Sequence, residues 1–173
     1  MSDILIVPGL GNSGPAHWQS WLENRLPNAR RVEQADWQRT CLSDWAARVR
    51  DAIDAAGDKV WIIAHSFGCL ASVSASLARP DSIRGALLVA PADPDRFGEP
   101  HALLETELNF PSLVVASNND PWVGLHVARR WAGRWGSRFQ DIGAAGHINV
   151  DSGHGPWPEG QAYFEDLQRS AAT

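Results

Sequence analysis

Val60-Trp61-Ile62-Ile63-Ala64-His65-Ser66-Phe67-Gly68-Cys69-Leu70 decides how the rest of the chain is read. Four apolar residues in a row predict a buried strand. Small and apolar residues recur at helical spacing after Ser66, so the stretch predicts a strand, a sharp turn and a helix. In that arrangement a serine stands at the tip of the turn, held up as a nucleophile. Its neighbours at minus two and plus two must be small, because the two arms of the turn nearly touch. Gly68 meets this requirement. Ala64 stands where glycine is more usual, a mild departure at which a methyl group can still fit; if it crowds the turn, Ala64→Gly should raise turnover, and a fall would mean that the methyl group is accommodated. Ser66 also reads as a plain helix N-cap, since serine is favoured there. The pentapeptide does not separate the two readings.

The remaining strands predict one edge at which other groups gather. Ile4–Val7, Arg31–Gln34, Lys59–Ala64, Gly85–Ala90, Ser112–Ala116 and Ser137–Ile142 read as six strands. Helices are expected from Pro15 to Leu26, from Leu42 or Ser43 to Gly57, after Ser66 to about Arg79, from Pro121 to about Gly136 and from Gln161 to Arg169. Strands alternating with helices predict βαβ units, a mainly parallel sheet and a three-layer α/β sandwich. Fully apolar strands agree with burial on both faces. With 173 residues and no linker, repeat or low-complexity segment, residues 1–173 read as a single α/β domain. The only room for a lid is 92–110, with a short amphipathic piece at 101–108.

In open parallel sheets, ligands bind beyond the C-terminal ends of the strands. There the chain places Ser66, then Asp120 in Ser117-Asn118-Asn119-Asp120-Pro121, then His147 in Gly146-His147-Ile148-Asn149. Ser, Asp and His in that order match the α/β-hydrolase arrangement. Asp120 before Pro121 also fits a helix cap. Both roles are compatible, because a backbone-bonded carboxylate stays ionised. Asp93 is the rival acid and His154 the second candidate base; His65 is expected to anchor the turn. Backbone N–H groups of Leu10 and Phe67 are candidates for an oxyanion hole. Trp18, Trp122 and Trp157 flank the predicted site loops and are candidates to line an apolar pocket. Gly9-x-Gly11-x-x-Gly14 formally matches a dinucleotide loop, with Glu33 as its acid. A Rossmann domain therefore stands as an alternative, although it leaves Ser66, Asp120 and His147 unexplained.

Composition narrows the class. A net charge of −5 argues against a general nucleic-acid surface, and no apolar run is long enough for a signal peptide or membrane span. A reducing, cytoplasmic setting follows as the expectation. Cys41 and Cys69 do not suggest a secreted disulfide scaffold.

Val7 to Gln19, Ala64 to Cys69, Ser117 to Pro121, Gly146 to Asn149 and Gly153-His154-Gly155-Pro156-Trp157-Pro158-Glu159-Gly160 together resemble the small α/β-hydrolases of the retinoblastoma-binding-protein-9 and YdeN-like type. The resemblance spans nearly the whole chain in the right order. It implies a compact hydrolase without a large lid, a triad of Ser66, Asp120 and His147, and esterase- or peptidase-like activity poorly defined in substrate; the short 92–110 segment favours small ester or amide substrates. It also leaves a protein-interaction role on a hydrolase scaffold as an alternative, since one member took its name from a protein partner. The acyl-transfer chemistry needs no metal and no organic cofactor.

Overall fold

Six strands form one fully parallel sheet in the order β2-β1-β3-β4-β5-β6. They are β1 (Ile4–Val7), β2 (Ala29–Arg31), β3 (Val60–His65), β4 (Ile83–Val89), β5 (Ser112–Ala116) and β6 (Arg138–Asp141). Five helices alternate with them: α1 (Trp18–Glu23), α2 (Leu42–Ala56), α3 (Phe67–Ser76), α4 (Leu125–Trp135) and α5 (Pro158–Ala171). The computed structural model describes residues 1–172. No helix among them is long and apolar enough to cross a membrane.

The two cores follow from the alternation of side chains along each strand. Leu5, Val7, Ile62, Ala64, Leu88 and Val114 face one side and pack with residues of α2, α3 and α4. Ile4, Ile6, Trp61, Ile63, Leu87 and Val115 face the other and pack with α1 and α5. The three layers and the parallel sheet agree with the sequence expectation.

Several element boundaries differ from it. β2 begins at Ala29, opposite Ile4, because Asn28 turns the chain with a φ of 61° and pairing starts at once. The buried Val32 then leaves the strand, although its N–H still reaches the carbonyl of Ile6. α1 begins at Trp18, not Pro15, because His17 is its N-cap and accepts the Gln19 N–H at Nδ1. α4 begins at Leu125; Pro121–Val123 form a turn first, stapled by the Trp122 N–H bonding to Asp120. α5 starts early, with Pro158 in its first turn. The 92–110 segment contains two 3₁₀ turns, Pro94–Phe97 and His101–Leu103, and no longer helix. Both cysteines are free thiols, Cys69 fully buried one turn into α3.

Candidate active site

The end of β3 and the start of α3 meet at Ser66, whose backbone is forced to φ 54° and ψ −123°. This is a conformation that non-glycine residues rarely hold, and surrounding structure must over-determine it. It does so here. The Ser66 N–H bonds to the Val89 carbonyl, and the Ser66 carbonyl accepts the N–H groups of Cys69 and Ala92. Gly68 is dictated by packing, since a Cβ there would lie 2.3 Å from the Val7 carbonyl oxygen and 2.6 Å from that of Pro8. Gly9 is also tightly placed, as its Cβ would meet the Ser66 Cβ at 2.9 Å. The close approach in this turn therefore falls on Gly68 and Gly9. Ala64 is fully buried and its side chain is part of the core on the α2–α3 side.

From this serine a chain of hydrogen bonds runs across the sheet edge. Ser66 Oγ lies 3.0 Å from His147 Nε2, and His147 Nδ1 lies 2.8 Å from Asp120 Oδ2. A carboxylate can only accept, so Nδ1 carries the proton and Nε2 is free to receive one from the serine hydroxyl. The Asp120 side chain is fully buried and that of His147 nearly so. The second oxygen of Asp120 accepts the Trp122 N–H at 2.8 Å. One carboxylate thus holds a turn and an imidazole together. Asp93 instead caps its own 3₁₀ turn through the Asp95 N–H, and His154 bonds to Ser152. Neither hydrogen-bonds to His147.

The loop carrying His147 is held from several sides. Asn119 accepts the Gly146 N–H at 2.7 Å, and Ser117 accepts that of Ala145 at 2.9 Å. His65 Nε2 donates to the His147 carbonyl at 2.9 Å. Trp18 Nε1 donates to the Ile148 carbonyl at 2.8 Å. Gly146 and Ile148 have φ values of 57° and 50°, so the loop turns sharply at both neighbours of the histidine.

Beside Ser66 opens a pocket of about 400 Å³. Leu10 and Trp122 line it. Trp18 and Trp157 do not: they are buried, 0% and 5% exposed, and meet edge to face at 5.1 Å in the core between the sheet, α1 and α5. Trp18 reaches the site through its bond to the His147 loop and through ring contacts with His17 and His65, at 5.5 and 5.8 Å between centroids. The N–H groups of Leu10 and Phe67 donate to no protein acceptor among the described residues. Phe67 is the first residue of α3, where helix N–H groups have no internal partner.

Three supporting residues, Gln19, Arg31 and His17, escape a reading of the sequence, whereas His65 is expected there as an anchor of the turn. Gln19 is wholly buried; its amide donates to the carbonyls of Val7 and Ile63, and its oxygen accepts the Ser13 hydroxyl at 2.6 Å. It ties the ends of β1 and β3 to the 8–15 loop. Arg31 holds the same loop through Asn12 and the Ser13 carbonyl while pairing with Glu23. His17 and His65 line the pocket with ring centroids 5.0 Å apart, and His65 lies 4.9 Å from His147. Burial holds His17 down to about 4, helped by the Arg31 charge, and drives His65 well below the usual imidazole range. Both are neutral at physiological pH. The His17-Trp18-Gln19 run is the one available signal for two of these groups.

The family model for serine hydrolases matches residues 4–166. The chain belongs to the serine hydrolase family. A structure from Pectobacterium atrosepticum described as a YdeN-like hydrolase is 38% identical, with 98% of this chain and 89% of that one covered and a TM-score of 0.87. The ydeN gene product of B. subtilis shares the fold at 18% identity, with 98% and 100% covered and a TM-score of 0.80. Est1E from Butyrivibrio proteoclasticus, solved with ferulic acid bound, does so at 13% identity, with 100% and 90% covered and a TM-score of 0.80. No curated protein matches the chain. Family membership displaces the dinucleotide reading. The glycine loop opens no helix at Gly14; it leads into the His17 cap and packs Gly9 against Ser66.

Proposed function

We propose that this serine hydrolase cleaves small ester or amide substrates through an acyl-enzyme on Ser66. The observation that carries the reading is the unbroken hydrogen-bond chain from Ser66 through His147 to Asp120 beside an open pocket. Ser66 Oγ attacks the carbonyl carbon as its proton passes to His147 Nε2. Asp120 keeps the imidazole in the required tautomer and stabilises the imidazolium. The negative oxygen of the tetrahedral intermediate is received by the Leu10 and Phe67 N–H groups, which have no other acceptor among the described residues. His147 then delivers its proton to the leaving group, whose bond to carbon breaks. A water molecule, deprotonated by His147, attacks the acyl-enzyme and regenerates Ser66 Oγ–H.

Ser66→Ala is expected to lower p-nitrophenyl acetate hydrolysis by more than about a thousandfold and to abolish labelling by a fluorophosphonate probe. Undiminished labelling of the variant would show that another residue is the nucleophile.

A further inference from the structure

Few large apolar side chains in this protein are exposed. Among the described residues the exposed ones are Met1, Leu10, Leu77, Trp122 and Val150. Met1 is the first residue, and Leu77 lies at the far end of α3 from Ser66. The other three all line the Ser66 pocket. They arrive on separate loops: Leu10 after β1, Trp122 after β5, and Val150 in the 3₁₀ turn Val150–Ser152 that follows His147. Each is about half exposed, at 48%, 53% and 48%. Trp122 also stands beside the base, with ring centroids 6.4 Å apart. Three solvated apolar groups brought together from distant parts of the chain at one opening are poorly explained by packing within the fold.

We infer that the mouth of the Ser66 pocket holds an apolar chain or ring of the substrate against Leu10, Trp122 and Val150. The inference rests on the ester-hydrolase reading above and adds the substrate class: uncharged esters with an aliphatic or aryl group of several carbons. Charge at the mouth supports an uncharged group. Arg96 is accompanied by the carboxylates of Asp93 and Asp151, so an anionic substituent meets more repulsion than attraction. The nearby His17 and His65 are neutral and add no cation. An apolar group can belong to the acyl half or to the alcohol half of the ester.

Two substrate series separate these sources: p-nitrophenyl esters from acetate to hexanoate, and alkyl acetates from ethyl to hexyl. In the wild-type protein, kcat/KM rises along one of them by up to about fourfold per methylene, the fold-change equivalent to about 0.8 kcal/mol for each CH₂ removed from water. The double variant Trp122→Ala/Val150→Ser, and independently Leu10→Ser, which keeps its backbone N–H, reduce that rise to about twofold or less. The series that flattens identifies the half held at the mouth. A flat wild-type profile in both series, or slopes that the variants leave unchanged, overturns the inference while Ser66-dependent labelling leaves the hydrolase reading standing. A monomer–dimer equilibrium weakened by these variants without a change in slope overturns it in favour of an interface between copies. Failure of folded wild-type protein to label overturns both.

Discussion

His65 commits its Nε2–H to the carbonyl of His147, so the residue before the proposed nucleophile also holds the backbone of the proposed base. Misplacing a reacting group by about 1 Å costs on the order of a hundredfold in rate. His65→Ala is therefore expected to lower kcat by about ten- to a hundredfold with KM nearly unchanged. His65→Gln, whose amide N–H can reach the same carbonyl, should recover most of it. Equal losses in the two variants would mean that packing alone matters. Ala64 leads to a revised expectation. Its methyl group is wholly buried in the core, so Ala64→Gly removes apolar contact and loosens a central strand. A loss of about 1–2 kcal/mol in urea unfolding is expected, with no gain in turnover. At this scale the sequence makes Ser66, Asp120 and His147 legible as candidates, because each lies in the turn or loop that follows a strand. Trp18 and Trp157 mislead, because proximity to a loop in sequence does not say which way a ring points; both indoles turn into the core.

Between elements, the contact that matters most is that of α3 with the end of β1. Gly68→Ala places a methyl group against two backbone carbonyls that cannot move aside. More than about 3 kcal/mol of destabilisation is expected, the upper end for overpacking, read as loss of folded protein on expression or as a lowered midpoint in urea. Trp18→Phe acts differently. It leaves the Ile148 carbonyl without its buried donor, costing about 1–3 kcal/mol, and it loosens the His147 loop, so kcat should fall with stability. The number of strands and of helices is readable because continuous apolar runs and helical spacing are strong signals. Helix starts are less so. Pro15 and Pro121 both suit a first helical turn, yet the His17 side chain caps α1 and the Asp120 side chain staples the turn ahead of α4, delaying each helix by three or four residues. Capping by a particular rotamer is not visible in residue type alone.

Across the whole molecule, the buried histidines make stability depend on pH. His17 has its protonation midpoint pushed down to about 4, from an ordinary value of 6.5, by burial and by the nearby Arg31, His147 and His154. As pH falls below about 6.5 the unfolded chain takes up a proton that the folded chain refuses. Stability is therefore complete above that point and is lost progressively down to about pH 4, at up to about 1.4 kcal/mol per pH unit. His65 acts in the same direction. Urea midpoints measured from pH 7.5 to pH 4.5 should fall. His17→Asn, which can still cap α1, should flatten the slope by about one proton's worth; an unchanged slope would place the acid sensitivity elsewhere. None of this burial is legible in sequence, where His17 stands on a predicted helix with no sign of its depth. The last strand carries a different consequence. β6 is a four-residue edge strand with no fully buried position, paired on one side only, and the His147 loop hangs from its end. Short edges of this kind open in fluctuations that leave the rest of a protein intact. Amide exchange in β6 should then outrun that in β3 and β4, and in rising urea the catalyst should fall silent before tryptophan emission reports any melting.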